Sequence, residues 1–321
     1  MKKLVRVMTS LAFLGILAIP VVATAQYSQD FDGLNGSPSG VILTGQDGYY
    51  LPTGPSSDSD FKVYTYAGNT LGIVQNPEGG SQFIGGTGPG DGLVYARAQR
   101  NVTFGFGRWD LWYDFCGIFQ GTPPGTNNLG SFSMRQAANT VHINLFTWVD
   151  PNNPTGIAST YVYYDANNVQ SPIPGTPPGP EWNNLTPNHW YRCRTTIDLD
   201  LNQIVEVGIR DLSSGNEAVY DPTGWYLYGG ANPLELPDAI RFFGGGGGPG
   251  NTTCWDNAIV EQLAVQGACC FEDGTCLVLS REQCDGQHGQ YQGDNTVCDP
   301  NPCHPVPVQE STWGSIKNLY H

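Results

Sequence analysis

The sequence predicts an all-β protein: a two-sheet antiparallel β-sandwich of jelly-roll type followed by a small disulfide-rich C-terminal module. Three observations carry this. Short segments between Gln26 and Gln262 alternate bulky and polar residues with period two. Gly 42 and Pro 24 make up a fifth of the 321 residues and punctuate those segments. Six of the nine Cys crowd between Cys269 and Cys303. No helical period of useful length appears before residue 305.

The chain begins with the marks of export. Lys2, Lys3 and Arg6 precede an apolar run from Leu11 to Val22, and Ala23-Thr24-Ala25 places small residues at a cleavage site. Residues 1–25 therefore read as a secretory signal peptide, with the mature chain starting at Gln26. Cleavage takes the formal net charge from −15 to −18. That acidity disfavours nucleic acid as a partner. No later stretch is apolar enough to span a bilayer. The expected location is outside the cell or on its surface.

The sandwich is expected over residues 26–263. Trp109, Leu111, Tyr113 and Phe115 fall on one face of a strand, and Tyr191, Cys193, Thr195, Ile197 and Leu199 on one face of another, with Arg192, Arg194 and Asp198 opposite. Val141–Leu145 and Val205–Arg210 repeat the pattern, and Leu93–Arg97, Thr160–Tyr164, Ala239–Phe243 and Cys254–Glu261 are further strand candidates. Asp200-Leu201-Asn202-Gln203 and Ser213-Ser214-Gly215-Asn216 read as hairpin turns. The run Gly244–Gly250 reads as a flexible connection.

The module is expected over residues 267–303. A unit this small buries too little apolar surface to hold itself together. Cys269, Cys270, Cys276, Cys284, Cys298 and Cys303 therefore read as three disulfides, the adjacent Cys269 and Cys270 bonding outward. Paired Cys-x-x-Cys knuckles for zinc are absent. In the sandwich, Cys116 and Cys193 are each able to bond the other or Cys254, or to stay a buried thiol. Residues 304–321 form a Pro-rich spacer and a segment in which Trp313, Ile316, Lys317 and Tyr320 have helical spacing.

Two resemblances follow from short motifs. Gln29-Asp30-Phe31-Asp32-Gly33-Leu34, the stretch His189–Asp200 and Trp255-Asp256-Asn257-Ala258-Ile259-Val260 resemble concanavalin A-like lectin/glucanase domains of the laminin-G-like type. Gly267–Cys276 with Gly289–Cys303, and the closing Thr312–Tyr320, are similar to a Cys-rich module of secreted environmental bacterial proteins. The first resemblance implies adjacent first and last strands. It also implies a structural Ca²⁺ held by Asp30 or Asp32 together with Asp256, with Asn257 or backbone oxygens completing the shell.

Carbohydrate binding is the expected function. Flat rings stack on the apolar faces of sugars while carboxylates and amides bond their hydroxyls. Trp112 and Asp114 share the strand face opposite the core, and Trp148, Trp182, Trp225, Tyr226 and Tyr228 sit near loops. Catalysis is not expected: the Glu-x-Asp-x-x-Glu pattern of lectin-like glucanases is absent, and of Asp198 and Asp200, two apart on one strand face, Asp200 leads into the Asn202 turn, where capping is its natural role. The reading is a secreted, non-catalytic binder of an extracellular glycan or surface polymer. A self-assembling matrix or fibre subunit is the alternative, and a divergent polysaccharide-cleaving enzyme the third. Two carboxyls facing each other in a groove would favour the enzyme.

Overall fold

The computed structural model describes residues 25–52, 59–87, 96–118, 128–136, 141–149, 156–172, 177–232, 235–244 and 250–303. Residues 1–24 of the expected signal peptide 1–25, residues 245–249 of the expected flexible connection, and the expected spacer and terminal segment 304–321 lie outside the described residues.

The described strands are β1 (Ala25–Gln29), β2 (Val41–Ile42), β3 (Ser59–Asp60), β4 (Lys62–Thr65), β5 (Gln82–Thr87), β6 (Ala96–Asn101), β7 (Arg108–Ile118), β8 (Asn128–Arg135), β9 (Val141–Val149), β10 (Ile157–Val162), β11 (Tyr191–Asp198), β12 (Gln203–Asp211), β13 (Glu217–Tyr220), β14 (Ala239–Gly244), β15 (Thr252–Gln262), β16 (Gln266–Cys270), β17 (Cys276–Ser280) and β18 (Gln290–Tyr291). The chain divides into two compact units between Val265 and Gln266.

The first unit is an antiparallel β-sandwich. Its larger sheet runs β13-β12-β11-β7-β15-β5-β4-β2, with β1 also paired to β15. The first and last strands of the sandwich are thus neighbours, as the resemblance implied. The second sheet runs β10-β9-β8-β14-β6-β3, antiparallel except for the short β3–β6 pairing. Trp109, Leu111, Tyr113 and Phe115 of β7 and Cys193 and Ile197 of β11 point between the sheets into one core with Phe132, Phe242 and Trp255. Alternation along β7 and β11 therefore assigned their inner faces correctly. The two expected turns also form. Asp198 Oδ1 accepts the N–H groups of Asp200 and Leu201 between β11 and β12, and Asp211 Oδ1 accepts those of Ser213 and Ser214 between β12 and β13. The capping carboxylate in the first turn is Asp198 and not the expected Asp200, whose own N–H is one of the groups capped; Asp198 also pairs with Arg108.

The second unit is a three-stranded sheet, β17-β16-β18, with one helix, α1 (Arg281–Gly286). Disulfides join Cys269 to Cys284, Cys270 to Cys303 and Cys276 to Cys298, so the adjacent cysteines do bond outward. The helix is a short element that helical periodicity does not detect. Its local signal is a capping box: Ser280 Oγ accepts from Gln283 N–H while Gln283 Oε1 accepts from Ser280 N–H. Six residues are too few to show a helical period. Cys116, Cys193 and Cys254 are buried free thiols, although Cys116 and Cys254 are direct partners across β7 and β15.

Candidate functional site

The outward face of the larger sheet is where the sequence placed Trp112 and Asp114. Pairing builds it as a grid. Asp256, Asp114, Arg192, Arg210 and Glu217 follow one another across β15, β7, β11, β12 and β13. Ile259, Trp112, Arg194, Gly208 and Val219 form the next row.

One end of this face is covered. The connection from Tyr66 to Ser81 crosses it, and Tyr64, Tyr66, Ile73, Phe83, Trp190, Leu212, Cys116 and Cys254 form a second apolar cluster beneath. Trp190 Nε1–H donates to Val74 O at 2.8 Å, and Asn188 bonds both Gly72 O and Val74 N–H. These contacts pin the connection to the sheet.

Next to the cluster lie two fully buried carboxyls, Asp114 and Asp256, on directly opposed positions of β7 and β15. Asn76 Nδ2 donates to Asp114 Oδ2 at 2.9 Å and to Asp256 Oδ2 at 3.2 Å, so those oxygens lie within about 6 Å of each other. A bulge in β15 follows Asp256: Asn257 is the extra residue and takes φ 46°. The bulge aims the Asn257 amide at Asp114 Oδ2 and at Glu78 O. Arg192 grips Asp114 with Nε at 2.7 Å and Nη2 at 2.9 Å, a two-pronged charge-assisted contact. Among the described residues no cation pairs with Asp256. It accepts from Tyr66 Oη–H, Asn76 and Asn257 N–H. Burial, added to by the Asp114 charge, outweighs those hydrogen bonds and pushes its carboxyl up to about 7.

The expected metal ligands Asp32 and Asp256 meet the same Gly79–Gly80 turn. A Cβ on Gly79 would collide with Asp256 Oδ2, and one on Gly80 with Asp32 Oδ2. Asp32 Oδ1 accepts Ser81 N–H, Ser81 Oγ–H and Gln82 N–H. Both carboxylates are thus engaged by hydrogen-bond donors. Among the described residues no group of three or more His, Cys, Asp and Glu is arranged to hold a metal ion.

Beyond Arg192 the face opens into a groove of about 140 Å³ lined by Trp112, Arg192, Arg194, Gly208, Arg210 and Glu217. The arginines are held in place. Arg194 bonds Asp110 through Nε and Nη2 and Glu206 through Nη1, and its guanidinium lies over the Trp112 ring, 5.1 Å from the centroid. Glu78 bridges Arg192 and Arg210 at 2.6 and 2.9 Å. Gly208 forms the floor. Neither its backbone conformation nor its surroundings require glycine: a Cβ there would meet nothing closer than 3.7 Å.

Other expected ligand residues lie elsewhere. Asp114 does not face solvent but anchors Arg192 from beneath. Trp182 is a core residue at 1% exposure, and Trp225 is buried in a stack with Tyr163, centroids 4.0 Å apart. Both lie beside loops, but loop proximity does not report which side of the loop a ring packs against. Tyr228 is half-buried, edge-on to Tyr164, and Tyr226 pairs its backbone with Tyr164. Trp148 lies on β9 opposite Ala158, and its side chain is outside the described residues. Of the expected rings whose side chains are described, Trp112 alone lines the groove. Arg192, Arg194, Gly208, Arg210 and Glu217 were not singled out as ligand residues. The period-two spacing of Arg192 with Arg194, and of Gly208 with Arg210, held the signal that each pair shares a face.

No family model matches the chain, and no curated protein matches it. Among solved structures, the CBM2 module of the evolved Dit of Lactobacillus casei BL23 phage J-1 is similar at 12% identity and TM-score 0.44, covering 74% of this chain and 95% of that one. The PL-14 alginate lyase from Aplysia kurodai is similar at 9% identity and TM-score 0.43, covering 75% and 100%. Peanut lectin is similar at 8% identity and TM-score 0.34, covering 67% and 96%. At such distance residue roles do not transfer from these proteins to this chain.

Proposed function

We propose that the chain is a secreted, non-catalytic protein that binds an extracellular glycan or surface polymer in the groove over Gly208. Gly208 carries the reading. A glycine inside a strand weakens the sheet by about 0.5–1 kcal/mol relative to alanine, and nothing in the fold asks for it here. Its missing side chain opens the groove beside Trp112. The volume, about 140 Å³, is below the 300–1,000 Å³ of ordinary small-molecule pockets. It suits one ring of a longer polymer laid on the face.

The test is binding of Gln26–His321 to a polysaccharide panel, compared with Gly208→Leu. The variant is expected to melt at or above the wild-type temperature and to bind at least about tenfold more weakly. Equal binding by both rejects the groove.

The facing carboxyls Asp114 and Asp256 are the observation that favours an enzyme. Both are buried under the 66–81 connection and engaged by Arg192, Tyr66, Asn76 and Asn257, so neither reaches a substrate in the groove. A structural Ca²⁺ at Asp32 and Asp256 is a separate proposal. It requires Tyr66, Asn76 and Ser81 to turn their donors away, and a melting temperature that EGTA does not move rejects it.

A further inference from the structure

We infer that the groove over Gly208 takes an uncharged sugar ring and excludes uronate and sulfated polymers. This deepens the carbohydrate-binding reading and rests on it. Three arginines line the groove, an arrangement that at first sight invites an anion. Their charge is already met. Arg192 is paired with Asp114 and Glu78, Arg194 with Asp110 and Glu206, and Arg210 with Glu78. With Glu217 on the wall, five carboxylates stand around three guanidiniums, on a chain whose formal net charge is −15. An incoming carboxylate or sulfate would meet guanidiniums already neutralised by Asp110, Asp114, Glu78 and Glu206 and would still face the surplus negative charge.

What the groove offers is hydrogen bonding. Each guanidinium carries five N–H donors, and among the described residues the contacts to carboxylates leave some of them unused on every arginine. Glu217, on the exposed strand β13, has an acceptor carboxylate that forms no hydrogen bond or ion pair among the described residues. Fixed donors beside an unpaired acceptor match a hydroxyl, which both donates and accepts. A carboxylate or sulfate satisfies the donors and is repelled by Glu217.

The test compares neutral glucans, galactans, mannans and xylans with alginate and sulfated galactans, by calorimetry on Gln26–His321 at low and high NaCl. The expected result is binding to a neutral polymer with an affinity that changes less than about threefold with salt, since screening acts on net charge. Glu217→Gln is expected to weaken that binding several-fold, because a charge-assisted acceptor becomes a neutral one. Binding confined to the acidic polymers, falling with salt and strengthened by Glu217→Gln, would overturn the inference and leave the glycan-binding reading standing. Failure of every polymer to bind would sink both. Binding of a neutral polymer that Gly208→Leu leaves intact would place the ligand elsewhere and also overturn it.

Discussion

Asp256 makes stability depend on pH in a direction opposite to that of most carboxylates. It sits fully buried opposite Asp114, and its carboxyl is pushed up to about 7 from an ordinary 3.8. Between those values the folded chain holds a proton that the unfolded chain has released. The contribution is whole below about pH 4, is lost as pH rises toward 7, and levels off above. Its size is about 4 kcal/mol. Asp256→Asn removes the ionisation. It also turns one acceptor into a donor, so one of the bonds from Tyr66, Asn76 or Asn257 is lost, at roughly 1 kcal/mol. The two stability curves should therefore cross. The wild type is expected to be more stable by about 1 kcal/mol at pH 4, and the variant by about 3 kcal/mol at pH 8. Urea unfolding followed by tryptophan fluorescence from pH 4 to 8 measures this, and subtracting the curves cancels the other titrating groups. A flat difference across that range would refute the reasoning.

Other predictions concern the groups around the site and the module. Arg192→Ala leaves Asp114 buried without its cation and should cost about 3–5 kcal/mol in urea unfolding, much of it recovered when Asp114→Asn is added; a loss under about 1 kcal/mol would mean Asp114 is not relying on it. Removing the Cys276–Cys298 bridge by paired Ser substitutions frees a loop spanning 22 residues and should cost about 3 kcal/mol, seen as faster proteolysis between Gln266 and Cys303. Burial pushes the thiols of Cys116, Cys193 and Cys254 up, so a thiol reagent should label none of them in the native protein and all three in guanidinium. Recovery of only one thiol would mean that two of them have paired, with the facing Cys116 and Cys254 the geometric candidates.

How much of the site was legible depended on the strand. On β7 and β11 large apolar residues alternate with charged ones, so the inner face could be assigned from the letters alone. On β8 the pattern fails because Ser131 and Ser133 are buried as fully as Phe132 and Met134. Small hydroxyls fit inside without advertising it. Strands β2, β3 and β13 have two to four residues, too short for any period to register. Trp182 and Trp112 read alike as rings near loops or faces, yet one lies in the core and the other walls a groove.

The sequence by itself determined the class of fold and the need for cross-links in the module. Both follow from local facts, namely residue spacing along a pleat and a cysteine density that an apolar core of that size would not call for. Tertiary structure alone decided which cysteines joined, that Asp114 and Asp256 face each other under the 66–81 connection, and that Gly208 stands beside Trp112 and Arg194. Those are relations between residues from 14 to 142 positions apart, set by strand order and register. A one-dimensional pattern contains the faces of the strands but not which strand lies next to which.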